Sequence, residues 1–303
     1  MNEHFIKNIE IDNFKCFNGF KAEGFKRVNL IGGKNNVGKT AFMEACYINT
    51  YKYTATALSK VTLSRYKIDI LTQFNKGIGT DYIHKYILEK INQLDKGIIK
   101  SNLKRTTINL LKELSISNDD SCYFIDGMKL SPIVFEDIYS EIMENGLEKD
   151  IDIAINIFDN SVDTFRFIKS QPKCRLKASG KFQHLNELGD GLYKYIVHLT
   201  LFLSLKNGIV FIDEIENGIH YTKLDDMWRI ILELSKDNNV QVFATTHSKE
   251  CIESFARVSK ELEDENISFV ELGKDDKSNI NAMIYPYEWF LDEIEQENEV
   301  RGW

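Results

Sequence analysis

Apolar residues in this chain fall into short runs and helical stripes that alternate with polar breaks. Residues 6–17 alternate imperfectly and are rich in β-formers, and Val28-Asn29-Leu30-Ile31 is a short apolar run closed by glycines; both predict strands. From Thr40 to about Tyr53, Phe42, Cys46, Tyr47 and Thr50 recur at helical spacing, so strand, glycine loop and helix follow one another. The same rhythm returns late in the chain. A helix is expected over residues 191–206, a strand over 209–212, a helix over 223–234, a strand over 240–244 and a helix over 249–258. Such alternation implies parallel strands with helices packed between them. Two further strands, 267–272 and 279–285, precede an acidic terminal helix.

The middle of the chain carries helix signals and little chemistry. Ile83, Ile87, Ile91 and Leu94 form one stripe over 81–94, and Ile108, Leu111 and Leu114 form another over 105–114. Over 133–145, Ser131 suits the cap, Pro132 the first turn, Phe135, Ile138, Tyr139 and Ile142 the apolar face, and Gly146 the end. Residues 54–160 therefore read as a small helical insertion between two parts of one α/β core, 1–53 and 161–303. No apolar heptad lasts three repeats, so no long coiled coil is expected. Residues 164–168 and 174–177 read as two short strands joined across Gln171-Pro172.

Composition narrows the class. With 303 residues, 43% of them hydrophobic, the chain can bury a substantial core. Its longest apolar stretch, about 195–205, carries His198 and is too short to span a bilayer, and the N-terminus has no basic-then-apolar run. A cytoplasmic protein without a membrane segment is expected. Five cysteines without CxxC spacing argue for a reducing compartment and against a disulfide frame or zinc site. The net charge of -8 disfavours nucleic acid in bulk, leaving only a local basic run for it: Arg166, Lys169, Lys173, Arg175, Lys177 and Lys181, with Phe165, Phe167 and Phe182 nearby. A solvated strand-pair face explains that run as well.

The chemistry gathers at three places. Gly33-Lys34-Asn35-Asn36-Val37-Gly38-Lys39-Thr40 fits GxxxxGK[ST] between a strand and a helix. Glycines let backbone N–H groups curl around a phosphate, the helix start faces the same anion, Lys39 reaches the outer phosphates and Thr40 offers a hydroxyl to Mg²⁺. The apolar run 209–212 then delivers Asp213 and Glu214 to the strand edge where ligands of open α/β sheets bind. Asp213 would hold Mg²⁺ and Glu214 would polarise the attacking water. A surface turn carries such a pair equally well; its coupling to the glycine loop favours chemistry. A third apolar strand ends in Thr245-Thr246-His247-Ser248, and His247 there is placed for the γ-phosphate or the water, although a lone histidine is also a common structural residue.

Together these elements resemble ATP-binding-cassette (ABC) ATPases of the branch containing RecF, SMC heads and overcoming-lysogenization-defect (OLD) proteins. The resemblance is strongest over residues 1–50 and 183–258. It implies an α/β ABC-type P-loop head with a mixed sheet, ATP and Mg²⁺ as ligands, Gly33 to Thr40 as Walker A, Asp213 and Glu214 as Walker B and His247 as the switch histidine. It also implies a signature loop at Gly189, Asp190 and Gly191, where Gly189 replaces the usual serine, and a D-loop at Glu216, Asn217 and Gly218. An ordinary helix N-cap at Asp190 fits the same residues. The expected Q-loop glutamine has no secure place; Gln73 lies at a tolerable distance without a strand before it.

In that family two protomers sandwich ATP, so the resemblance implies a homodimer or higher homo-oligomer that nucleotide closes and hydrolysis releases. The motif text over 211–220 and 243–248 is similar to small defence-associated ATPases such as AriA of the PARIS anti-phage system. OLD proteins carry a TOPRIM nuclease domain after the ATPase; the 56 residues after His247 are too few for one, so a separate effector chain is implied. Two other readings stay open: a RecF-like DNA-repair ATPase using the basic run, and a GTPase, against which Asn75-Lys76-Gly77-Ile78 lacks the aspartate of NKxD.

Overall fold

The computed structural model describes residues 3–65, 97–108, 121–125, 130 and 132–296, together with Lys85, Leu88, Glu89 and Ile91. Its centre is a six-stranded sheet in the order β13-β12-β3-β11-β10-β6. These strands are β3 (Val28–Gly32), β6 (Cys122–Ile125), β10 (Ile209–Ile212), β11 (Gln241–Thr245), β12 (Ile267–Lys274) and β13 (Ile280–Pro286). All neighbours are parallel except β12 and β13, which makes the sheet mixed.

The central strands read as unbroken apolar runs because both faces are covered. On β10, Val210 and Ile212 join one hydrophobic core, while Ile209 and Phe211 join the other. The first core packs α3 (Pro132–Glu144), α4 (Glu148–Phe158), α5 (Asp190–Ser204), α6 (Leu224–Asp237), α7 (Lys249–Glu261) and α8 (Tyr287–Glu295). The second packs α1 (Lys39–Thr50), α2 (Thr54–Arg65) and a four-stranded antiparallel sheet, β2-β1-β4-β5. That sheet consists of β1 (Asn8–Asp12), β2 (Phe20–Glu23), β4 (Ile98–Ser101) and β5 (Arg105–Thr107). The fold is the expected α/β head. Among the described residues the longest helix has 15 residues, and none is long and apolar enough to cross a membrane.

Buried polar groups inside the sheet are paired. Asn29 donates to the carbonyls of Lys26 and Val242 and accepts from Ser268, and Gln241 bonds both backbone groups of Ile6. The Arg27 guanidinium, also buried, bonds Asp264 and Ser235.

Several sequence expectations need correction. Residues 6–17 form one short strand, β1, followed by a turn in which Asn13 and Lys15 take left-handed backbone and Phe14 bridges Phe17. Residues 54–160 are not purely a helical insertion: β4 and β5 extend the sheet begun by β1, and β6 pairs with β10 in the main sheet. Those strands have only three or four residues each, too few for a period-2 signal. The helix expected over 105–114 begins instead as β5; most of its remainder, much of 81–94, Gln73 and Asn75 to Ile78 lie outside the described residues. The helix over 133–145 is α3, with Phe135, Ile138, Tyr139 and Ile142 all buried and Gly146 at φ 70° just past its end.

The hairpin after α4 turns one step earlier than Gln171-Pro172. Lys169 and Ser170, both at positive φ, make the two-residue turn between β7 (Val162–Ile168) and β8 (Gln171–Leu176). Pro172 is tolerated because the third strand, β9 (Phe182–His184), reaches only Lys173 to Arg175 of β8, so the proline has no ladder partner on that side.

His198 on α5 is 2% exposed and neither ring nitrogen has a hydrogen-bond partner. Burial drives its pKa down to about 3. The unfolded chain therefore takes up this proton first as pH falls, and stability drops below about pH 6.5. We expect about 2 kcal/mol of this loss between pH 7 and 5. Denaturant unfolding at the two pH values should show it in the native chain, and His198→Leu should reduce the difference by that amount.

Candidate functional site

Parallel pairing in register sets the ends of three strands on one edge. Ile212 lies opposite Ala244, and Thr245 lies opposite Ile31. The Gly33–Thr40 loop, the Asp213-Glu214 pair and the Thr245–His247 segment thus emerge side by side, with the β11 segment in the middle. A Thr246 N–H to Ile31 carbonyl bond of 3.0 Å continues the alignment past the strand ends.

The glycine loop is dictated by close approach. A Cβ on Gly33 would lie 2.4 Å from the Leu272 carbonyl oxygen, and one on Gly38 would lie 2.8 Å from Cys16 Sγ. Gly33, Asn36 and Gly38 all have positive φ, which folds the loop back over the start of α1. No side chain caps that helix and no acidic residue occupies its first turn, so its positive end stays free to face an anion. Thr40 is exposed in the first turn.

Lys39 is buried under this loop. Its Nζ donates to the carbonyls of Gly33 at 2.6 Å and Lys34 at 3.0 Å, and lies 3.1 Å from His247 Nδ1. Burial lowers its pKa to about 8, opposed by the charges of Asp213, Glu216 and Glu214. The structure thereby brings together Lys39, Asp213, Glu214 and His247, which lie far apart in sequence. Glu214 Oε1 is 4.0 Å from His247 Nε2, and both side chains are partly open to solvent.

The acidic turn is held by Thr245, which the sequence reading passed over. Its hydroxyl donates to Asp213 Oδ1 at 2.5 Å and accepts the Glu214 N–H at 2.8 Å, while its carbonyl accepts the Ile215 N–H at 3.1 Å. Glu214 sits at φ 53°, a left-handed conformation that costs an L-residue roughly 1–2 kcal/mol. Only the alignment of β10 with β11 reveals this partner. Glu216 makes a second link: its Oε1 accepts the His247 N–H at 2.7 Å, and its Oε2 is buried without a hydrogen-bond partner.

Gly189, Asp190 and Gly191 stand elsewhere. Gly189, at φ 97°, precedes α5, and a Cβ on Gly191 would come 3.0 Å from the Gly218 carbonyl oxygen. The three residues line an open groove of about 570 Å³ with Leu188, Gly218 and His220, and no residue of Gly33 to Thr40 lines it. Asn217, between Glu216 and Gly218, bonds back through its N–H to the Glu214 carbonyl at 2.9 Å. The basic run is partly neutralised. Arg166 makes two 2.8 Å bonds to Asp152, Arg175 pairs with Asp163, and Lys169, Lys177 and Lys181 are exposed around the three-stranded sheet.

A glycine loop opening a helix at the end of a parallel strand, beside an acidic strand end, marks a P-loop ATPase, here on a fold like that of SMC heads. Residues 50–253 match the family model described as "AAA domain, putative AbiEii toxin, Type IV TA system", and the chain belongs to that family. The match starts after the Gly33–Thr40 loop, so the loop and the family model are independent observations. An ATP/GTP phosphatase of Helicobacter pylori is 24% identical over 84% of this chain and 89% of its own length. Solved structures that share the fold include two Smc heads. The Smc head bound to the C-terminal winged-helix domain of ScpA has a TM-score of 0.57 at 13% identity, covering 94% of this chain and 99% of that one. The Pyrococcus furiosus Smc head with an extended coiled coil, bound to the C-terminal domain of ScpA, has a TM-score of 0.55 at 11% identity, covering 97% and 99%.

A phosphate favours the charged form of Lys39, and burial favours the neutral one. Nucleotide affinity is therefore expected to hold below about pH 7 and to fall by up to about tenfold per pH unit above 8. Calorimetric titration across that range measures it, and Lys39→Arg, which stays charged, should lack the fall.

Proposed function

We propose that the chain binds and hydrolyses ATP as a switch: two copies close around the nucleotide and separate after hydrolysis. The observation that carries this reading is the meeting of Lys39, Asp213, Glu214 and His247 at the mouth of the glycine loop. The glycine loop, the uncapped start of α1 and a desolvated ammonium suit a triphosphate. Thr40 and Asp213 supply a hydroxyl and a carboxylate, the hard oxygen donors that suit Mg²⁺, an ion that keeps several waters and shares phosphate oxygens. When bound, Mg²⁺ would supply charge neutralisation at those phosphates.

In this reading Lys39 leaves the Gly33 and Lys34 carbonyls to meet the phosphate oxygens. Glu214, half exposed at the turn, accepts a proton from the attacking water, and His247 donates towards the γ-phosphate. Gly189, Asp190 and Gly191, set apart from the glycine loop of their own chain, would present the α5 N-terminus to the partner's nucleotide, with Glu216, Asn217 and Gly218 alongside. The named activity of the Helicobacter pylori relative supports nucleotide hydrolysis. We further propose that the switch controls a separate effector, nuclease or TOPRIM-like, in anti-phage defence. The motif likeness to small defence ATPases supports that role.

A RecF-like DNA-binding role is the second reading, favoured by the exposed Lys169, Lys177 and Lys181. The ion pairs of Arg166 and Arg175 weaken it by neutralising two of the six cations. Duplex DNA is therefore expected not to bind the isolated chain measurably at about 150 mM salt. Micromolar binding that steepens as salt is lowered, and is lost when the three lysines become glutamate, would favour the clamp.

Glu214→Gln should keep ATP affinity within about threefold and lower turnover by about 10²-fold or more, since it removes the proton acceptor. Light scattering with ATP should then show a long-lived dimer or larger assembly. Normal turnover in this variant removes Glu214 from its role, and a persistent monomer removes the sandwich. Gly191 is a poorer probe of assembly, because any side chain there meets Gly218 of its own chain.

A further inference from the structure

We propose that Thr245 is a positioning residue of the hydrolytic site, holding the Asp213 carboxylate and the Glu214 backbone in the arrangement that hydrolysis uses. The inference rests on the roles proposed above for Asp213 and Glu214. Its basis is geometric. Thr245 is fully buried at the end of β11, one residue past the Ile212–Ala244 pair, and so stands opposite the acidic turn.

From that place a single residue bonds three successive partners. The hydroxyl donates its one proton to Asp213 Oδ1 and accepts the Glu214 N–H on a lone pair, and the carbonyl accepts the Ile215 N–H. The hydroxyl thereby uses its one donor and one of its two acceptor lone pairs on the acidic turn. A donor that bonds the carboxylate fixes which oxygen faces the strand and leaves Oδ2 out of that bond. An acceptor for the Glu214 N–H compensates the left-handed backbone that turns the Glu214 side chain towards His247.

The chemistry of the alternatives explains why threonine serves here. Valine has the same shape and β-preference but neither gives nor takes a hydrogen bond, so the Glu214 N–H would lose its partner. Serine keeps the hydroxyl and loses only a methyl group. The two substitutions therefore separate bonding from packing. Thr245 touches no reacting atom in this arrangement; it acts through Asp213 and Glu214.

The test uses the full chain with Thr245→Val, Thr245→Ser and Thr245→Ala, and follows ATP turnover, the Mg²⁺ concentration for half-maximal rate, and calorimetric ATP binding with and without Mg²⁺. Thr245→Ser should stay within about threefold of the native kcat. Thr245→Val and Thr245→Ala should lose about 10- to 100-fold in kcat at saturating ATP and Mg²⁺, the cost of a misplaced catalytic group. Their affinity for metal-free ATP should be unchanged, while the half-saturating Mg²⁺ should rise by about tenfold and the gain in ATP affinity on adding Mg²⁺ should shrink, since removing a partner of a metal-ligating carboxylate costs about 10- to 100-fold in metal affinity.

Native kcat and Mg²⁺ dependence in Thr245→Val, or equal losses in Thr245→Ser and Thr245→Val, would overturn the proposal. Should Thr245→Val not fold, Thr245→Ala and Thr245→Ser give the same comparison. Asp213→Asn and Glu214→Gln run alongside keep two failures apart. If they retain native turnover, the underlying site assignment fails; if they lose it while Thr245→Val does not, only the role of Thr245 fails.

Discussion

Everything at the site depends on the in-register parallel pairing of β3, β11 and β10. Parallel strands run in one direction, so their carboxyl ends share an edge, and the loops that leave them are forced into company. Here the middle strand ends in Thr245 and His247, between the glycine loop and the acidic turn. A shift of one residue in either pairing would take the Thr245 hydroxyl away from Asp213 and His247 away from Lys39. The two hydrophobic cores prevent such a shift, because each would then receive the side chains meant for the other.

That constraint brings together groups whose preferences conflict. The Lys39 ammonium is desolvated under its loop, Glu214 is held in a left-handed backbone, and one oxygen of Glu216 is buried without a hydrogen bond. Each arrangement costs free energy that the surrounding fold supplies. An anion at the mouth of the loop would relieve the first of them directly, since phosphate oxygens replace the carbonyls that now receive the ammonium. Unfavourable local arrangements collected at one strand edge mark a candidate functional site.

The groove before α5 is lined by no residue of the glycine loop, yet the turn that borders it reaches His247. A side chain on Gly191 would meet the Gly218 carbonyl, the turn containing Gly218 carries Glu216, and the Glu216 carboxylate accepts the His247 N–H. The turn that borders the groove thus also holds the backbone of His247.

The sequence by itself determined the elements that make their signal locally. The Gly33 to Thr40 spacing, the apolar runs of β3, β10 and β11 and the stripes of α5, α6 and α7 were legible because strands buried on both faces and amphipathic helices leave period and composition in the text. β4, β5 and β6 left none that stood out from the helical stripes around them, so they were invisible within what read as a helical insertion, and the Lys169-Ser170 turn was hidden behind a proline. Tertiary structure alone decided which strand ends are neighbours, and with that the partnership of Thr245 with Asp213 and Glu214 and of Glu216 with His247. The reason is that hydrogen-bond pairing between distant segments is fixed by sheet order and register, which arise from packing two cores at once and are written in no single stretch of residues.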